Sequence, residues 1–178
     1  MSRRLLAVLA ALATFAGITV GAAAPATAAP RILYYDASQS QEFRAVVDQG
    51  AAIWNSRVAN VRLQPVPSGR TPNIRVYADN GWPRTYTTSL GNGRWYMGRQ
   101  AVNEGYYPPR IAAHEFGHIL GLPDRRTGLC PDLMSGSSAP VACTNATPSA
   151  AERAAVERNF RTSVTVAPQA YVWTGSAA

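Results

Sequence analysis

The stretch Ala113-His114-Glu115-Phe116-Gly117-His118-Ile119-Leu120-Gly121-Leu122-Pro123-Asp124 constrains this chain more than any other, and it reads H-E-x-x-H-x-x-G-x-x-D. On a helix, residues four apart share a face with their Cβ atoms roughly 5–6 Å apart. His114 and His118 can therefore reach one metal ion, and they are the only histidines in the chain. Glu115 is one residue on, about 100° round the helix, so it stands beside the ion rather than on it. Gly121 can take a positive φ without steric cost and end the helix just beyond His118. Pro123 keeps the helix from restarting. The chain can then turn back and bring Asp124 as a third ligand. Imidazole and carboxylate donors suit Zn²⁺, and three protein ligands plus one water are the pattern of a catalytic zinc site. One Zn²⁺ per chain is expected, with Glu115 as general base toward a zinc-bound water. The alternative is an accidental pair of histidines; the apolar helix before the motif and the glycine break after it argue against that.

With its sequel, the motif resembles the metzincin clan of zinc endopeptidases. Most members carry His where this chain has Asp124. The aspartate form, followed by Cys130 and then Met134, is similar to the snapalysin family, small neutral proteases secreted by GC-rich bacteria. The likeness runs over residues 32–160 and includes Ile53-Trp54-Asn55-Ser56 and Leu133-Met134-Ser135-Gly136. It implies an α+β, metzincin-like zincin fold. Such a fold has a twisted mixed sheet, a helix in the N-terminal half, a zinc-motif active-site helix, and a small irregular C-terminal subdomain ending in a helix. It implies peptide-bond hydrolysis with a preference for an aromatic residue after the scissile bond. It also implies that Met134 packs beneath the metal and its imidazoles; read alone, Met134 is an apolar residue in a tight turn.

The chain departs from the family pattern in two ways. Arg126 stands where the family has a Tyr that helps stabilise the oxyanion; an Arg there either makes that contact as a cation or points to solvent. Tyr107 and Pro109 stand where the family has the Asp and Thr of a calcium site. Neither side chain is a calcium ligand, so no calcium is expected.

The chain has 178 residues, enough for one domain with a real core. Its 47% hydrophobic and 15% charged residues fit a globular protein. Residues 1–28 read as a secretory signal peptide: Arg3 and Arg4 are the charged start, Leu5 to Val20 the apolar run, and Ala26-Thr27-Ala28 the cleavage site. A membrane anchor fits less well, because small residues and prolines follow the apolar run with no basic flank. Residues 29–178 are then a single metalloprotease domain, with 161–178 a tail of unassigned role. All 17 basic side chains are Arg, and losing two with the signal takes the net charge from +7 to +5. Such a surface favours solubility or acidic partners; no basic tract interleaved with aromatics points to nucleic acid. Cys130 and Cys143 in a secreted chain read as one disulfide closing a loop of about 14 residues, worth roughly 3 kcal/mol. Free thiols or a cysteine ligand are the alternatives, and the resemblance also implies the bridge.

Along the chain, residues 31–36 read as a strand rich in β formers, and 40–54 as a helix with Phe43, Val46, Val47, Ala51 and Trp54 on its core face. Residues 60–66, with Val61 and Leu63 inward, and 73–78 alternate as strands. Loop signals fill 79–93, with 85–89 extended, and 94–99 is a further strand candidate. An edge strand pairing with an extended peptide is expected within 86–96, where Trp95 and Tyr96 are core or substrate-facing. Pro108-Pro109 opens the zinc helix, with Ala113, Phe116 and Leu120 toward the core and Gly117 close against the sheet. Residues 125–145 read as irregular. Ser149 and Glu152 form a capping box for a last helix with Ala151, Ala155, Val156 and Phe160 on its apolar side. The tail beyond Arg161 has strand-like character.

These readings converge on a secreted, extracellular zinc endopeptidase. It is expected to act as a monomer on protein or peptide substrates, to be open to a protein protease inhibitor, and to have no nucleic-acid partner and no membrane attachment after processing. A competing reading is a zinc-binding, weakly active binding module, which Arg126 keeps open. A site with a downstream glutamate ligand would need Glu152, the next Glu after Glu115, which sits at the capping position of a separate helix.

Overall fold

The computed structural model describes residues 29–162 and 165–173; the signal peptide expected over 1–28 and the chain beyond 173 lie outside them. Strand β1 (Arg31–Gln39) leads through a 3₁₀ turn (Gln41–Phe43) into α1 (Arg44–Asn55), followed by β2 (Val61–Pro65), β3 (Ile74–Asp79), β4 (Arg84–Ser89) and β5 (Asn92–Gly98). A short α2 (Arg99–Asn103) precedes α3 (Pro108–Ile119). A 3₁₀ segment (Leu133–Ser138), α4 (Ala150–Thr162) and β6 (Gln169–Val172) complete the order. The sheet runs β2-β1-β3-β5-β4-β6. β1 pairs in parallel with β2 and β3, and β3 with β5. β4 is antiparallel to both β5 and β6. The mixed sheet and the separate helices are the α+β arrangement expected.

Alternation places the core. Leu33, Tyr35, Ile74, Val76, Trp95 and Met97 are buried from the strands, and Val47, Ala51 and Trp54 from α1. Phe116 joins the layers, meeting Tyr35 and Trp95 edge-on at 5.7 and 5.1 Å between ring centroids. Residues 109–119 of α3 are buried on every side, because α1, the sheet and the irregular segment all pack on it. Gly50 brings α1 against α3: a Cβ there would lie 2.9 Å from Ala112 Cβ. Trp54 Nε1 donates to Ala113 O at 2.7 Å beside it. The β4–β5 turn is pinned to the end of α3 by Gly91 N–H donating to Ile119 O at 2.9 Å.

Several expectations are corrected in detail. The helix expected from residue 40 opens as a 3₁₀ turn before α1. Gly117 faces Met134 Sδ, 2.6 Å from its would-be Cβ, and Trp54. The close packing there is against the irregular segment and α1, not the sheet. Ala151 is exposed, and Glu152 takes the buried place beside Val156. The tail supplies β6, so β4 is not a free edge. The Cys130–Cys143 bridge is formed.

Candidate metal centre and cleft

α3 carries the two histidines and stops where the motif requires. Gly121 adopts φ 88°, and two bonds close the helix end: Gly121 N–H to His118 O at 2.9 Å and Leu122 N–H to Gly117 O at 3.0 Å. This glycine-capped ending satisfies carbonyls that a helix terminus otherwise leaves free. It also turns Leu122 O toward His118, whose Nδ1 donates to it at 2.8 Å. His114 Nδ1 donates to Leu133 O at 3.0 Å. With both Nδ1 atoms engaged as donors, both Nε2 atoms carry the lone pair.

Those lone pairs converge. The Nε2 atoms are 3.0 Å apart, and Asp124 Oδ1 lies 3.3 Å from His114 Nε2 and 3.6 Å from His118 Nε2. The three ligand atoms all lie within 4.8 Å of one another, the one such grouping among the described residues. Three acceptor atoms this close, two of them on buried rings, repel one another unless a cation or protons lie between them. Two neutral imidazoles and one carboxylate suit zinc, so the residues fit the metal. Burial pulls the His118 ring from 6.5 down to about 3, aided by neighbouring His114, which keeps it neutral. Burial acts to raise Asp124, but its closeness to His114, His118 and the Arg126 guanidinium holds it below its ordinary value.

Glu115 is buried beside this cluster. Thr85 Oγ1 on β4 donates to its Oε2 at 2.6 Å, while Oε1 has no protein partner among the described residues. Burial pushes its carboxyl from 4.5 up to about 7, against the pull of His114 and Thr85. A divalent cation nearby would pull it back down. Arg126, at φ 47°, turns its Nη2 onto Asp124 Oδ2 at 3.3 Å and Val172 O at 3.2 Å. Met134 is buried with its sulfur against Gly117, between the two histidines in sequence. Gly136 lies against His114 as well, its would-be Cβ 3.1 Å from Cε1. Tyr107 and Pro109 sit at the start of α3 and bring no carboxylate there.

Sequence reasoning missed Arg110 and, beyond its place in the capping box, the buried bracing role of Glu152. Arg110 is 2% exposed, and its guanidinium donates to the carbonyls of Cys130, Asn145, Asp132 and Leu133 at 3.1, 2.6, 2.7 and 3.4 Å. Glu152 accepts from the Met134 and Leu133 amides at 2.7 and 3.2 Å. It also completes the expected capping box, accepting from Ser149 N–H at 2.6 Å. Glu152 is therefore a brace for the segment behind His114, not a metal ligand.

A helix-borne His pair, a third ligand beyond a glycine-capped helix end and a mixed sheet alongside define a metzincin-like zincin. The chain belongs to the Streptomyces extracellular neutral proteinase (M7) family, whose model matches residues 30–162. It is 40% identical over 138 residues to the extracellular small neutral protease of Streptomyces lividans, covering 77% of this chain and 60% of that protein. It is 42% identical over 139 residues to the same-named protein of Streptomyces sp. (strain C5), covering 77% and 59%. With that of Streptomyces caespitosus it shares 39% over 123 residues, 68% of this chain and 91% of that one. The chain thus spans about 60% of the length of the first two relatives.

Proposed function

We propose that this chain is a secreted zinc endopeptidase. The observation that carries the reading is the convergence of His114 Nε2, His118 Nε2 and Asp124 Oδ1 with the Glu115 carboxylate alongside. When bound there, zinc supplies Lewis acidity, lowering the pKa of a water and polarising the scissile carbonyl. The protein does the rest. Glu115 accepts the proton of the attacking water and returns it to the departing amine. Thr85 holds one Glu115 oxygen and leaves the other for that exchange. Arg126, whose guanidinium lies on Asp124, is the residue offered for contact with the carbonyl oxygen as negative charge develops there. An extended substrate pairs with β4 in the place that β6 takes in the full chain, and an aromatic side chain after the scissile bond enters beside the metal site. Substrates are extracellular proteins or peptides, and residues 1–28 are the export signal. Among the described residues no helix is long and apolar enough to cross a membrane.

The test combines metal analysis with hydrolysis of casein. The zinc-loaded protein should hold one ion per chain and cleave casein. Glu115→Gln should keep the ion and lose about 10³-fold in rate. The reading fails if the zinc-loaded protein, with or without residues 169–178, leaves casein intact, or if Glu115→Gln cleaves at the unaltered rate.

A further inference from the structure

The chain itself covers the imidazole faces and the outer side of β4. β6 adds antiparallel to β4, pairing Arg84 with Val172, Thr85 with Tyr171, Tyr86 with Ala170 and Thr87 with Gln169. Thr87 Oγ1 accepts from Gln169 N–H at 3.1 Å, and Trp173 N–H donates to Pro83 O at 2.8 Å. Adding a strand to a sheet edge is how an extended peptide ligand is held, with alternate side chains giving specificity. The alternation here is directed at the metal ligands. The Tyr171 ring lies flat on His118, 3.9 Å between centroids and 4° between planes. Trp173 meets His114 edge-on at 4.6 Å and Tyr106 at 5.6 Å. Val172, between them, is exposed, and its carbonyl accepts from Arg126. Trp173 is the single buried residue of 169–173 and joins the hydrophobic core, so the strand is anchored at that one residue while 169–172 are not buried. The segment also lies beyond the residues that the family model matches.

We propose that residues 169–173 are a tethered ligand of the cleft, holding the place of an extended peptide that carries aromatic side chains two residues apart. The strand covers the imidazole faces and uses the backbone groups of β4 that an incoming peptide needs. Because it is tethered, its effective concentration is of order millimolar, and a free peptide must displace it. The full chain is therefore self-restrained, and removing the strand opens the site. The inference rests on reading the cleft as a peptide-binding site.

The test measures binding without turnover, in a Glu115→Gln background. A fluorescently labelled Gln-Ala-Tyr-Val-Trp peptide is titrated by anisotropy into three zinc-loaded proteins. These are the full chain, the chain ended after Pro168, and the full chain with Tyr171→Ser and Trp173→Ser. The shortened chain and the double variant should bind roughly tenfold or more tightly than the full chain, the margin set by loss of the tethered competitor. The same peptide with both aromatics changed to Ser should not bind. With Glu115 present, shortening should raise kcat/KM on casein by a similar factor. Equal binding by the full and shortened chains overturns the inference, as does a folded shortened chain that ignores the peptide. If the shortened chain does not fold by circular dichroism, the double variant decides by the same criteria. If no form cleaves casein, the peptidase reading falls while the binding result still decides this one.

Discussion

At the scale of single residues, Glu152 shows how a buried charge can position a metal site without touching the metal. It is 2% exposed, a position a carboxylate tolerates only when its oxygens are paired. Its Oε1 takes the Met134 amide and its Oε2 the Leu133 and Ser149 amides. The Leu133 carbonyl then holds His114 Nδ1 and also receives Arg110. Removing the carboxylate strands amides in the interior and takes a compensating charge from Arg110, whose own buried cation is held below its ordinary pKa by desolvation. Hydrogen bonds to charged groups are worth about 1.5–3 kcal/mol each, and the orphaned donors add to the loss. Glu152→Ala should therefore lose roughly 3–4 kcal/mol, or about 10 °C in Tm for a chain of this size. Glu152→Gln keeps one acceptor oxygen and should lose about half as much. Thermal melts of the three proteins check this; a Glu152→Ala melt within error of the unaltered protein would show that the brace carries no stability.

At the scale of elements, the pairing of α1 with α3 sets where the histidines stand. The contact is closest at Gly50, where an added Cβ would meet Ala112 Cβ at 2.9 Å, Ala112 C at 3.0 Å and Ala113 N at 3.1 Å. Two of those three atoms are backbone, so relief means moving α3 one residue before His114. In an exposed helix Gly→Ala gains about 1 kcal/mol; here overpacking, typically about 1–3 kcal/mol, acts against it. Gly50→Ala should come out less stable by about 1 kcal/mol, and Gly50→Val by more. Urea unfolding measures the sign, and a gain in stability would mean the helices separate freely. This contact marks the limit of what the sequence displays. Local patterns were readable: alternation at Val61 and Leu63, the four-residue spacing of His114 and His118, the stop at Gly121, the box of Ser149 with Glu152. Each is decided by neighbours along the chain. Gly50 carries no such signal, because its partner is Ala112, far off in sequence. Arg110 carries none either, because the carbonyls that satisfy it lie 20–35 residues away. The tail read as a strand without a partner for the same reason. Gly117 reads from the sequence as a close-packing site, but its spacing does not distinguish an approaching sheet from the Met134 segment and Trp54 that meet it.

At the scale of the whole molecule, residues 125–145 have no sheet to belong to, yet they supply the carbonyl that orients His114. Four ties hold this segment in place: the Cys130–Cys143 bridge, which closes it on itself, Arg110 on α3 and Glu152 on α4, which bond it to the helices, and the candidate metal cluster of His114, His118 and Asp124 at the helix end. The first three are permanent, whereas the fourth depends on the ion. In the unfolded chain His114, His118 and Asp124 are no longer held together, so the zinc proposed for this site should bind the folded state alone and stabilise it by mass action. At a free zinc concentration a thousandfold above Kd the gain is about 4 kcal/mol, which for a chain of this size is roughly 12 °C in Tm. Chelation should remove that gain, and zinc should restore it. His118→Ala loses one ligand and should show a much smaller zinc-dependent shift at the same concentration, while Glu115→Gln, which keeps all three, should show nearly the full shift. Reducing the disulfide should lower stability by a separate increment of about 3 kcal/mol on the loop-entropy account, and should leave the zinc-dependent difference largely in place. The two increments separate because the bridge acts on the unfolded chain and the ion on the folded one. If His118→Ala shifts with zinc as strongly as the unaltered protein, the ion is held elsewhere and the assignment of these three ligands is wrong.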